Sequence, residues 1–260
     1  MPSRWLRVVA PLISLLLIVA GWQAAVVFWS VPSTLIPRPA QTALSLWQSI
    51  VSGEMLPHIL ATVGGAAIGY AVGSVAALLL ASVMAVSVMM ERLLTVHLQA
   101  FQAIPKVALA PLVFLWFGFG QASTVALVAM SCFYPVFVNT FAGLRAANAD
   151  LIALYRVFGA GRLRIFVSVQ LPCAAGQVFV GLQVGVVFAL ISAVVMEFVS
   201  GSQGLGYTIQ AASTTLDTAS VFASLLLLAA IGVSSAALVR YARKRVVFWE
   251  RGSAYEENLH

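Results

Sequence analysis

Residues 148–172 read NADLIALYRVFGAGRLRIFVSVQLP, a polar stretch inside a chain that is otherwise almost continuously apolar. It carries Asp150, Arg156, Arg162 and Arg164. Too charged to cross a bilayer, it separates two apolar runs and so decides how the chain is threaded. Leu151, Leu154, Tyr155 and Phe158 fall at i, i+3, i+4 and i+7, the stripe of a short amphipathic helix. Asn148 or Asp150 is placed to cap its start, and Gly159-Ala160-Gly161 to end it. A second apolar set, Leu163, Ile165, Phe166 and Val169, precedes Leu171-Pro172. The stretch therefore predicts a hairpin of two short helices. The residues alone leave two uses open: a helix lying on the inner leaflet, which the arginines favour, or a knob that docks in a groove of another protein.

Composition bounds the rest. Of 260 residues, 62% are hydrophobic and 8% charged, against about 25% charged in soluble domains. The mean hydropathy is +1.01. Apolar runs of this length mean an all-α polytopic membrane protein; the short alternating segments of a transmembrane β-barrel are absent. The net charge of +6 does not point to nucleic acid. Its basic residues stand at the ends of apolar runs, as membrane topology requires, rather than clustered among aromatics. Cys132 and Cys173 have no CxxC or Cys/His metal spacing and read as ordinary buried thiols.

About six spans are expected: 8–31, 59–83, 104–119, 123–144, 172–199 and 219–239. Residues 1–31 form a peripheral first span, and 32–58 an external loop with an interfacial helix near 44–51. Residues 59–246 form the core, including the cytoplasmic loop 145–171, and 247–260 a cytoplasmic tail. Gly65, Gly69 and Gly73 recur every four residues, a close-packing signal between membrane helices. Pro105 forces a kink or restart, and Lys106 is expected to snorkel to the cytoplasmic surface. With both termini inside, every Lys and Arg except Arg38 lies on or near the cytoplasmic side, which places 148–172 in the cytoplasm.

Few residues offer chemistry. The two lysines, Lys106 and Lys244, are not followed by Ser or Thr, so no phosphate loop exists. The loose GxxGxG at 201–206 lacks a preceding strand. His58, His97 and His260 find no nucleophile elbow, and no two carboxylates share a span. No catalytic, cofactor or metal residue is expected. Glu197, near the external end of a span, reads either as a gate residue or as a structural acceptor at a helix end. Gln102, Pro105 and Asn139 complete the candidates for a translocation path. Asn139, like Gln177 and Gln183, is a weaker candidate, since amides often only bridge helices.

From Gly159 the pattern resembles the coupling loop of permease subunits of bacterial ABC importers: E-A-A, three residues, G, nine residues, I-x-L-P. Ala153-Leu154-Tyr155 occupy the first three positions, Val169 that of the isoleucine, and Leu171-Pro172 the end. The likeness extends to 103–118 (AIPKVALAPLVFLWFG), to Tyr134-Pro135-Val136-Phe137-Val138-Asn139-Thr140, to Glu197-Phe198, to 201–207 and to Leu35-Ile36-Pro37-Arg38-Pro39. Together these are similar to the subfamily importing sulfonates, taurine and nitrate. The family's glutamate is replaced by Ala153, and its two small residues by Leu154 and Tyr155.

The resemblance implies a type I importer fold. It implies a homodimer on two cytoplasmic ATP-binding subunits, which hold ATP and Mg, fed by a periplasmic binding protein, in the bacterial inner membrane. It implies docking through Leu151, Ala153, Leu154, Tyr155, Phe158, Gly159, Ala160, Leu171 and Pro172. A pyrimidine or riboflavin-like vitamin precursor is the alternative substrate class. Set against this stand an ATP-independent secondary transporter or channel, for which paired broken helices are lacking, and a membrane enzyme, for which the catalytic residues are lacking.

Overall fold

The structure, a computed structural model, describes residues 4–200 and 202–251 and is helical throughout, with no strand among the described residues. Gly201 of the glycine-rich loop, residues 1–3 of the first span and the tail from 252 onward lie outside the described residues. Helices α3 (Met55–Val86), α6 (Gln121–Arg145), α9 (Leu171–Ser200) and α11 (Thr218–Val246) are each long and apolar enough to cross a membrane. Helix α1 (Arg4–Phe28) carries a shorter apolar stretch, Ile13–Phe28, and stacks Trp22 on Phe222 of α11. Its Leu15 to Ile18 are exposed, consistent with a peripheral position.

α3, α6 and α9 form the core. Lipid is as apolar as leucine, so burial cannot drive these helices together; close contact must. The glycine ladder on α3 provides it. A Cβ on Gly69 would meet Val128 Cβ at 2.6 Å, and one on Gly73 would meet the Ala129 carbonyl at 2.5 Å. Gly181 and Gly185 of α9 close on Asn139 and Val136 of α6 in the same way. Into the seams pack Met84, Val136, Leu144 and Ala174, all fully buried.

The expected third span, 104–119, is not one helix. Helix α4 (Val88–Ala103) runs beside the C-terminal half of α6, from the Arg145–Glu91 ion pair at 3.0 Å to the Phe101–Phe133 contact. The chain then bends by 81° into a 3-10 turn (Lys106–Leu109) and α5 (Ala110–Phe117). Eight residues rise about 12 Å, too little for α5 to cross alone, so α4 and α5 form a bent pair, either one broken span or a re-entrant loop. The cause is Pro105, which has no N–H to donate to the carbonyl four residues back.

The polar stretch also departs from the expected hairpin. Its first helix, α7 (Ala149–Val157), forms as expected. Its second half does not separate: α8 (Arg162–Ile165) and a π turn (Phe166–Gln170) run straight into α9, giving one apolar helix from Arg162 to Val199. Leu171-Pro172 therefore lies inside a helix and does not mark its start. The π turn accommodates the proline, with Leu171 N–H bonding the Phe166 carbonyl five residues back, a common device where an α-helical ladder is interrupted.

Outside the core, α2 (Pro39–Val51) starts five residues before the expected interfacial helix, with proline at its first position. It reaches α11 through Ser45 and Ser220 at 3.1 Å. A short helix, α10 (Leu205–Thr214), follows the glycine-rich loop.

Candidate functional site

Three places in the fold bear on function: α7 with its turn, a cavity at the break between α4 and α5, and the start of α10.

Asn148, rather than Asp150, caps α7. Its Oδ1 accepts from Asp150 N–H at 2.7 Å and Leu151 N–H at 3.4 Å. At the other end Gly159 takes φ +76°. Gly159 N–H donates to Arg156 O and Ala160 N–H to Tyr155 O, both at 2.9 Å. That pair of bonds is the Schellman arrangement, in which the left-handed position strongly favours glycine. The helix so bounded exposes Leu151, Ala153, Leu154 and Phe158, the last at 81%. Tyr155 and Ala160 are half-buried. Leu171 and Pro172 are exposed but lie beyond the π turn, further along the α9 rod.

The break in the third span opens on a cavity of about 440 Å³. Gln102, Pro105, Lys106, Ser131, Tyr134, Asn139, Phe188 and Ser192 are among the residues lining it. Three of the four path candidates thus meet here. Asn139 bonds within its own helix, Nδ2 donating to Pro135 O at 2.8 Å. Lys106 stands in this cavity wall with residues from the middle of α6. Its ammonium donates to Phe101 O at 2.8 Å and to Gln102 O and Gln102 Oε1, each at 3.0 Å, and lies 4.9 Å from the Phe101 ring centroid. An unbroken helix would satisfy the first two carbonyls with the amides of residues 105 and 106. Lys106 replaces both lost donors with one side chain, and its positive charge suits a helix C-terminus. No carboxylate lines the cavity.

The fourth candidate, Glu197, lies elsewhere. It is 3% exposed and accepts from Gly206 N–H at 2.7 Å. Gly204 N–H donates to His58 Nδ1 at 3.2 Å, and Leu205 N–H to Thr62 Oγ1 at 2.8 Å. Three successive amides opening α10 are thus taken by side chains of α3 and α9. Both glycines are required at this spacing: a Cβ on Gly204 would sit 2.1 Å from the Glu197 carboxyl carbon, and one on Gly206 would sit 2.7 Å from Val194 O. The sequence reading missed His58 and Thr62, whose only signal was a polar residue near the start of a long apolar helix. It also missed Lys106 as a lining residue, although a lysine after a proline in an apolar run was visible.

Residues 69–248 match the family described as binding-protein-dependent transport system inner membrane component. The chain is 36% identical to the riboflavin transport system permease protein RibX of Chloroflexus aurantiacus, covering 92% of this chain and 89% of that one. It is 31% identical to the SsuC transport permease protein of Bacillus subtilis, named for aliphatic sulfonates, covering 92% and 86%. It is 30% identical to the formylaminopyrimidine transport permease protein ThiX of Halalkalibacterium halodurans, covering 96% and 99%. With the family match covering more than half of a helical membrane chain, and with such relatives along nearly its whole length, the chain belongs to the inner membrane permease family of binding-protein-dependent ABC transport systems.

Proposed function

We propose that two copies of this chain form the translocation path of an ATP-driven importer in a bacterial inner membrane. A periplasmic binding protein delivers a small organic solute, and separate cytoplasmic subunits bind ATP and Mg and hydrolyse the nucleotide. The observation that carries the docking reading is α7: a helix capped at both ends holds an exposed apolar face away from the core. A face of Leu151, Leu154 and Phe158 suits insertion into a groove. Closure of the ATP-binding subunits would move α7, and the rod from Arg162 to Val199 would carry that motion into the span lining the cavity. Leu154 and Tyr155 in place of small residues, and Ala153 in place of a carboxylate, call for a matching groove that is wider and less basic.

For the solute, a small anion such as a sulfonate is favoured by Lys106, the one charge lining the cavity. A flat-ring solute of the flavin or pyrimidine kind is the second reading, supported by Tyr134 and Phe188 in the same wall. The test is uptake into proteoliposomes holding the permease, its ATP-binding subunit and its binding protein. Uptake should require ATP and binding protein, with an alkanesulfonate competing better than riboflavin. Uptake that persists without ATP would make the chain a secondary transporter instead.

A further inference from the structure

We propose that a cavity behind α7 binds the phosphate headgroup of an anionic phospholipid of the inner leaflet. The cavity, about 650 Å³, lies between the α3–α4 corner, the end of α6, α7 and the start of the Arg162–Val199 rod. Ala149, Ile152 and Arg156 line it from α7. They stand on a different face of that helix from Leu151, Leu154 and Phe158, so occupation of the cavity and docking of a protein on α7 do not compete.

Charge points to an anion. Arg145, Arg156 and Arg162 all line the cavity, and no carboxylate does. Glu91 takes Arg145 at 3.0 Å; of the other acidic residues on the surrounding elements, Asp150 is on α7 but not in the lining, and Glu197 is at the far end of the rod. Arg156 and Arg162 have no ion pair among the described residues. Guanidinium groups bind phosphate oxygens through paired N–H donors. Ser87 caps α4 at the cavity wall, so the positive end of that helix at Val88 and Met89 adds to the field.

The apolar flank selects the lipid source over free phosphate. Val86, Val88 and Met89 form one side, and they are 38%, 58% and 74% exposed. A cavity with arginines on one side and exposed apolar side chains on the other matches a headgroup with its attached chains. Basic pockets between membrane helices on the cytoplasmic side take such headgroups. A lipid held there would brace α7 against the membrane body, so that coupling depends on the anionic lipid content.

The proposal rests on the orientation that puts α7 at the inner face. That is read separately, by labelling a cysteine introduced at Val157 with an impermeant maleimide in inverted vesicles. Labelling in inverted vesicles supports the inner-face orientation; labelling in right-side-out vesicles instead would overturn the orientation and the lipid reading together. The lipid test itself uses the permease purified with its ATP-binding subunit, offered mixed micelles of phosphatidylglycerol and phosphatidylcholine, with retained lipid counted by native mass spectrometry. Phosphatidylglycerol should be retained preferentially. Arg156→Gln and Arg162→Gln should each weaken retention by roughly fivefold, the worth of one basic residue near an anionic surface. Arg156→Lys should keep most of it, and Arg164→Gln, outside the cavity, should change little. Equal retention of phosphatidylcholine, an equal loss in Arg164→Gln, or full displacement by millimolar inorganic phosphate would each overturn the proposal. The last outcome would assign the arginines to free phosphate.

Discussion

Gly159, Lys106 and Glu197 each hold backbone in a place where no regular ladder serves it. Gly159 sits at φ +76° with open space around its Cβ position, so a larger residue there meets strain rather than a clash. Gly159→Val should cost about 1–2 kcal/mol of left-handed strain and misdirect the end of α7. ATPase stimulation in the reconstituted complex should fall severalfold while the amount of membrane-inserted permease stays the same. Lys106→Met leaves the carbonyls of Phe101 and Gln102 without their side-chain donor, at a cost of up to about 1–1.5 kcal/mol for lost hydrogen bonds. Its detergent melting temperature should fall, and uptake of an anionic solute should drop more than that of a neutral one. An equal drop for both would reduce Lys106 to a brace for the bend. Glu197 separates its two readings cleanly. Glu197→Gln keeps an oxygen for Gly206 N–H and should retain stability, whereas Glu197→Ala orphans a buried amide at about 1–3 kcal/mol. A Gln variant of full stability that cannot transport would make the carboxylate charge itself a part of the path.

Elements show where packing replaces the hydrophobic effect. The α3–α6 seam depends on Gly65, Gly69 and Gly73, where side chains of any size meet atoms of the facing helix. Gly73→Leu should lower stability by at least the 1–3 kcal/mol typical of overpacking, read as a reduced yield of folded permease and a lower melting temperature. The same substitution at Gly21, which has nothing within 4 Å of its Cβ position, should be neutral. The α7 and α9 elements illustrate a different limit of sequence reading. Asn148 and Gly159 were legible because caps and left-handed turns are local chemistry. The fusion of 162–170 into the α9 rod was not, because Pro172 is a breaker in most helices and the π turn that absorbs it leaves no mark in composition.

For the molecule as a whole, charge distribution predicts topology. A reporter joined after residue 247 should act on the cytoplasmic side and one inserted at Gly53 on the external side; reversal would move α7 outside and remove its reason to dock. The sequence by itself determined that the chain is a helical membrane protein, where most of its long apolar helices lie, and which polar segment interrupts them. These follow from hydropathy and capping residues, which are local in the chain. Tertiary structure decided what each polar residue inside a span is for. It brought Gln102, Pro105 and Asn139 to one cavity and added Lys106. It sent Glu197 to the start of α10 beside His58 and Thr62, and it hid an arginine-lined cavity behind α7. The physical reason is that a polar group in lipid must find a partner. For His58 and Thr62 that partner is a backbone amide more than a hundred residues along the chain, which periodicity along one helix cannot name.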